Sequence, residues 1–430
     1  MQVNEDFIYR SSSQYRNWSF TPAQLAEQRQ KTNLQAAERV KANVARQRAE
    51  RNRQLDGASV SESERANGSG LDTGTSTPIP LDREVNCLTV AEEKRLLDYF
   101  CAQAQLLGNF LEFPIEVTAT GIQFVRRFYL YNSPMTYEPQ TISRSIMFIA
   151  NKVEGFGLSA KNYALKLPNT TADTVIAPEY LIVQGLRFTF DVRHPFRGLR
   201  GGHIEMMEMA SGNAPVLPEI GLSADDIQTA MLVLPNTPNG PPTDLAVPEL
   251  VTRIQNAYAG TSDILKSAAL LTDAYFHYTP SQVWLAAHLM KDEPLTLFYI
   301  STKLPTSSPT YPKLLSTLRA CGDLLRTHNT DLDRLTKEEK DARQKREKEE
   351  IGALVKKLKA CRDPDKMDLV KLNEAQKRDA VKANGELEEN KAKRRKVARE
   401  GFQKESDSFW GPELPKNKNS ANGAGNSSAA

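Results

Sequence analysis

The sequence predicts an all-α protein on three observations. Apolar residues recur at helical spacing across the middle of the chain, strand-type alternation is rare there, and helix start signals stand where the stripes begin. Val117, Gly121, Phe124, Val125 and Phe128 share one face of a helix, and Ile142, Ile146, Ile149, Ala150 and Val153 share another. Ile264, Ala268, Leu271 and Tyr275 continue the pattern, as do Leu314, Leu318, Cys321 and Leu325. Such stripes must be buried against one another, which predicts a compact multi-helix bundle over about 89–330.

Residues 1–55 form an aromatic and serine arm followed by a polar helix. Thr21 suits the N-cap, Pro22 the first helical position, and Gln24 completes a capping box with Thr21. Leu25, Leu34, Val40 and Val44 are too sparse for a full core face, so this helix is expected to lie on a surface or protrude. Residues 56–88, rich in Ser, Gly, Thr and Pro, read as a flexible linker.

Within the bundle, Arg127-Phe128-Tyr129 leads into a break at Asn132-Ser133-Pro134, and Ala274-Tyr275-Phe276 into one at Tyr278-Thr279-Pro280. An apolar helix ending near a lysine, Lys152 or Lys291, follows each break. This single echo permits two helical units, 89–191 and 192–330, joined near Asp191 to Pro195. Residues 211–260, with Pro, Asn and Gly concentrated at 235–242, are expected to form a surface insertion. The segment 331–362 is a charged helix with a narrow stripe of Ile351, Leu354, Val355 and Leu358. The tail, 363–430, is charged and then low in complexity, a largely disordered composition.

Composition narrows the function. The 56 basic and 53 acidic residues leave a net charge of +3, which does not mark a dedicated nucleic-acid binder. Cys87, Cys101, Cys321 and Cys361 fit no zinc spacing and read as reduced thiols of an intracellular protein. There is no apolar run of membrane-spanning length, and residues 1–20 lack a secretory apolar core. Phosphate-binding loops, zinc-protease helices and nucleophile elbows are all missing. Gly198, Gly201 and Gly202 match no nucleotide fingerprint, and the five histidines are scattered. No catalytic residue, cofactor or metal ligand is therefore expected.

Lys152 ends an almost wholly apolar helix, and Glu179 opens another 27 residues later. Each has an ordinary reading, a cation near the last carbonyls and an acid in the first turn. Their surroundings resemble the cyclin box. Ala150, Lys152, Val153 and Glu154 match its helix of aliphatic-Ala-x-Lys followed by an aromatic or aliphatic residue and Glu, and Glu179, Leu186 and Phe188 match its Glu helix, with Leu seven and Phe nine positions on.

Four further stretches resemble the cyclin H branch, the cyclins of the TFIIH kinase. They are 12–20 (SSQYRNWSF), 127–133 (RFYLYNS), 271–282 (LTDAYFHYTPSQ) and the helix at 349–361. The resemblance implies tandem five-helix cyclin folds with flanking N- and C-terminal helices. The first repeat would dock on a cyclin-dependent kinase, with Lys152 and Glu179 bonding the kinase backbone beside its αC helix. Ile149, Val153, Val183 and Phe188 would make the apolar contacts. Departures are also visible: 94–100 (KRLLDYF) lacks the substrate-docking pattern of cell-cycle cyclins, and Gly155 stands where many cyclins carry a second acid. The long N-terminal helix and the insertion suggest a fungal type.

The implied function is that of a regulatory, non-enzymatic subunit that activates the TFIIH kinase and promotes phosphorylation of the RNA polymerase II C-terminal domain, and in some lineages of other cyclin-dependent kinases. The implied partners are that kinase, a RING-finger assembly factor and the TFIIH core, with no membrane and no direct nucleic acid. Lys393, Arg394, Arg395 and Lys396 form a candidate nuclear-localisation signal. Two alternatives are a cyclin C-like Mediator kinase subunit, against which the 271–282 stretch argues, and a cyclin-fold general transcription factor that binds nucleic acid, whose zinc-ribbon cysteines are missing.

Overall fold

The structure, a computed structural model, describes residues 9–58, 85–214, 221–328, 336–363 and 369–370. The basic tetrad 393–396 and nearly all of the tail lie outside these residues. Among the described residues every regular element is a helix.

The chain opens with α1 (Ser13–Trp18) and α2 (Pro22–Ala58). The first repeat follows as α3 (Val90–Phe110), α4 (Ile115–Tyr131), α5 (Pro139–Val153), α6 (Ala160–Leu165), α7 (Ala172–Ile176) and α8 (Glu179–Gly185). Ala177 and Pro178 between the last two keep helical angles, so α7 and α8 are one helix position interrupted where Pro178 lacks an N–H. This gives five helix positions.

The second repeat has α9 (Pro195–Ala210), α10 (Ala224–Leu232), α11 (Val247–Lys266), α12 (Ala268–Leu271), α13 (Ala274–His277), α14 (Pro280–Lys291), α15 (Glu293–Ser301) and α16 (Tyr311–Thr327), and α17 (Lys337–Ala360) follows it. Here α11 to α13 hold the position that α4 holds in the first repeat. Each set runs into a Pro-containing turn and then an apolar helix, as the sequence echo suggested. The stripe from Ile264 to Tyr275 is not one helix, however. Ser267 leaves helical angles (φ −117°, ψ −86°), and Thr272 is extended (φ −110°, ψ −179°). Their hydroxyls turn back onto the carbonyls of Asp263 and Ala268 at 2.6 and 2.8 Å, so side chains end each piece.

The 211–260 segment is not simply an insertion of loop. It contains α10 and the first 14 residues of α11, and Leu250, Ile254 and Ala257 are buried in the main core. Their i, i+4, i+7 spacing is a helical face, and Pro248 sits in the first turn, where its missing N–H costs nothing. The Pro-rich run before it ends at 242, short of this helix.

One apolar core runs through both repeats, from Phe124, Phe128, Ile146 and Met147 to Ile254, Leu265 and Leu318. The flanking helices share a second cluster on the first repeat: Ala36 and Val40 of α2, Ile351 and Leu358 of α17, with Leu88, Leu96 and Met135. The predicted capping box of α2 is present, with Thr21 N–H donating to Gln24 Oε1 at 3.0 Å and Gln24 N–H to Thr21 Oγ1 at 3.3 Å. The helix lies on the surface, its narrow Leu25, Ala36, Val40 face buried and Leu34 exposed. It reaches Ala58, inside the expected linker, and the linker's far end is already packed, because Asn33 Nδ2 donates to the Leu88 carbonyl at 2.8 Å. Arg95 bridges to Glu347 and Glu350, and Lys357 to Glu92, joining α17 to α3.

Candidate functional site: the α5–α8 face of the first repeat

Two helix ends meet here. Helix α5 stops because Gly155 takes the left-handed conformation (φ +70°), which a side chain disfavours, while Phe156 N–H reaches back to the Asn151 carbonyl at 3.0 Å. The buried Asn151 then clamps the loop. Its Nδ2 donates to the Leu158 carbonyl at 2.9 Å, and its Oδ1 accepts from Leu158 N–H at 3.1 Å. Lys152 and Val153 are thereby held on the outer face at a fixed helix end.

Glu179 opens α8, where a first-turn carboxylate suits the helix dipole. Helix α8 ends in a strained turn: Arg187 and Phe188 both have left-handed angles (φ +54° and +55°) without being glycine. Arg187 is held by stacking 3.9 Å from the Tyr131 ring centroid, and Phe188 N–H bonds the Val183 carbonyl at 3.1 Å. The turn presents Phe188 to solvent, 62% exposed. An outlier of this kind costs on the order of 1–3 kcal/mol and is found most often at binding surfaces.

The structure brings Lys152 and Glu179 together as a direct ion pair, with the ammonium 5.5 Å from the Phe148 ring centroid. The lysine is about half exposed, at 48%. Around the pair, Val153, Phe156, Ile176, Tyr180 and Phe188 are exposed apolar side chains on one helix end, its loop and its neighbour. Val183 is half-buried. Ile149 is not on this face: it is 3% exposed within the core, because position 149 points inward one turn before Lys152. Phe156, Ile176 and Tyr180 were not singled out from sequence. Their signal was present, as large apolar residues beside polar ones, on short helices for Ile176 and Tyr180 and in the loop for Phe156.

Electrostatics behind the face are settled by burial. Thr120 Oγ1 donates to Glu154 at 2.6 Å and contacts His194 Nε2 at 2.9 Å, while His194 Nδ1 lies 3.0 Å from the Tyr275 hydroxyl. With the threonine proton spent on Glu154, Nε2–H donates and Nδ1 accepts. Burial, and then the charge of Arg127, pulls this histidine down to about 3, so it stays neutral and joins the repeats structurally. The Thr120 hydroxyl beside this histidine is buried and gives its proton to Glu154, so the contact is structural. Among the described residues, no group of three His, Cys, Asp or Glu side chains stands together to hold a metal, and no helix is long and apolar enough to cross a membrane. The face offers shape, apolar area and one openable ion pair, which suits binding rather than turnover.

Comparison with known proteins agrees with this geometry. Residues 194–326 match the family described as the cyclin C-terminal domain. The chain is 29% identical over 305 residues to Cyclin CCL1 of Saccharomyces cerevisiae, covering 71% of this chain and 63% of that one. It is 31% identical over 193 residues to Cyclin mcs2 of Schizosaccharomyces pombe, covering 45% and 52%. The matches thus span between half and two thirds of those relatives' lengths. A chain in the solved CAK complex of Chaetomium thermophilum bound to ATP-gamma-S superposes with a TM-score of 0.62 at 31% identity, covering 88% of this chain and 96% of that chain. With its paired helical repeats and this near-complete structural match, the chain belongs to the cyclin family, in its cyclin H branch.

Proposed function

We propose that this protein is the regulatory subunit that binds and activates the cyclin-dependent kinase of TFIIH, through the α5–α8 face. The observation that carries the reading is the exposed Lys152–Glu179 pair set among unpartnered apolar side chains on a cyclin-family first repeat.

The mechanism is differential binding. A protein kinase needs its β3 lysine paired with its αC glutamate before the nucleotide phosphates are aligned. A partner that binds only the inward pose of αC shifts the equilibrium by its difference in affinity for the two poses. Val153, Tyr180 and Phe188 supply apolar contact to the moving helix. Lys152 and Glu179, preformed as a pair, each retain hydrogen-bonding capacity for kinase backbone groups. An exposed ion pair is worth only about 0–1 kcal/mol, so opening it to receive the partner costs little. Because both helix ends are braced, the face needs little reordering on binding.

The reading extends to a RING-finger assembly factor and the TFIIH core as further partners, to a nuclear location, and to phosphorylation of the RNA polymerase II C-terminal domain as the output. The cyclin C-like alternative is less well supported, because the 271–282 stretch has a specific task here: Phe20 N–H bonds the Phe276 carbonyl at 2.8 Å, and Asp273 takes two bonds from Arg29 at 2.7 and 2.9 Å, docking the N-terminal arm and helix.

The test is the pair of changes Lys152→Ala and Glu179→Ala in one chain. Kinase activity of the reconstituted complex is expected to be lost while far-UV helicity is unchanged, since a desolvated interfacial hydrogen-bonded charge is worth about 2–5 kcal/mol. Full activation by the double variant would discard the site.

A further inference from the structure

Helix α9 carries three glycines, and two of them are required by packing. A Cβ on Gly198 or Gly202 would meet the Trp284 ring at 2.6 Å. Gly201 is different: a Cβ there would meet nothing within 4 Å. Glycine disfavours a helix interior relative to alanine, and no contact among the described residues repays it at 201.

Gly201 lies on an exposed stripe with Arg197, Arg200, Ile204 and Glu208. Neither Arg197 nor Arg200 has an ion pair or hydrogen bond among the described residues. Of the neighbouring charges, Arg193 pairs with Asp191 at 3.3 Å, and Glu205 takes the Tyr299 hydroxyl at 2.7 Å and Lys303 at 2.8 Å, while Glu208 stands exposed at the far end of the stripe, about two turns beyond Arg200. Ile204 is 54% exposed. Two unengaged guanidinium groups therefore stand in the N-terminal half of the helix, where the dipole adds positive potential, with a notch and an aliphatic side chain beside them.

We propose that this stripe docks an acidic amphipathic helix of a partner protein. Carboxylates of that helix meet Arg197 and Arg200, an aliphatic side chain meets Ile204, and its backbone crosses closely over Gly201. A nucleic acid fits less well, because an exposed isoleucine interrupts the basic row and the chain carries a net charge of only +3. The surface belongs to the second repeat and is argued independently of the kinase-binding face.

The experiment places a photo-crosslinking amino acid at Glu208 in the full chain, assembled in its source cells and irradiated after purification. The expected product is a crosslink to a protein segment with excess acids and at least one Leu, Ile or Val. A crosslink to nucleic acid or to a basic segment, or no crosslink, overturns the proposal. Gly201→Leu is expected to keep or raise the thermal midpoint, because its space is open, while cutting crosslink yield about tenfold by filling the notch. Arg197→Glu with Arg200→Glu is expected to cut the yield at least as far by charge repulsion. Undiminished yield from either variant also overturns it.

Discussion

Two charged junctions in this molecule use the same chemistry to opposite ends. At one, Arg126 and Asp273 lie at 5% and 13% side-chain exposure, tied by a 3.2 Å contact, with Arg29 and Asp98 completing the network. At the other, Lys152 meets Glu179 in the open. The first joins α2, α3, α4 and the short helices of the second repeat, and its arginine also donates to the Leu270 carbonyl at 3.1 Å. The second ties only two helix ends and leaves donors and acceptors free for another molecule. Burial decides which ion pair is architecture and which is available for recognition.

The largest expected effect breaks the buried junction. Asp273→Ala leaves Arg126 without its buried partner and should cost about 3–5 kcal/mol, read as a fall in denaturation midpoint. The same group sets a pH response. Burial alone would raise the Asp273 carboxyl, but the hydrogen bond from Arg29 and the charge of Arg126 hold it well below its ordinary 3.8. The unfolded chain therefore binds this proton first as pH falls, so the stabilisation is complete above about 4 and is lost in acid. Denaturation of the wild type and of Asp273→Asn across that range checks the sign.

Glu93 runs the other way. Burial raises it from 4.5 to about 7, against hydrogen bonds from Ser133 and Asn33 that lower it. Between these values the folded state keeps a proton that the unfolded state has lost, so stability falls as pH rises through this window. Glu93→Gln should remove the loss and stabilise the protein at pH 8 by on the order of 2–3 kcal/mol, measured by urea titration at pH 5 and pH 8. A variant equally stable relative to wild type at both pH values would reject this account.

Smaller effects sharpen the exposed junction. Gly155→Ala meets no atom within 4 Å, so only its positive φ is penalised, and a loss of about 1 kcal/mol is expected from chemical denaturation. Smallest of all, Lys152→Ala alone should change the stability of the isolated chain by about 0–1 kcal/mol, while under the proposed function it is expected to remove most kinase activation. A large stability loss would assign Lys152 to architecture instead.

Much of this fold was legible because helix signals are local. Thr21 with Gln24 formed the capping box their spacing announced, and the Ile142 to Ala150 stripe is buried as its period required. Lys152 and Glu179 were found through the pattern around them, not through any property of a lone lysine or glutamate. Ile149 was read both into the buried stripe and into the contact set, because motif spacing gives neighbourhood and not direction. One turn before Lys152, its side chain points inward. The helices of 211–260 were obscured by the prolines ahead of them, and the break at Ser267 depends on hydroxyl bonds that no periodicity records.

What the sequence determined by itself was the helical class and those helix ends that carry a local cap, such as Thr21 with Gln24, since each is written within a few positions of chain. Only the tertiary structure decided that Asp273 serves Arg29 and Arg126, that Lys152 finds Glu179, and that Gly201 faces empty space while Gly198 and Gly202 face Trp284. Those outcomes depend on residues far apart in the chain arriving at one place, and on how much water remains between them, which sets the strength of every charge and the need for every small side chain.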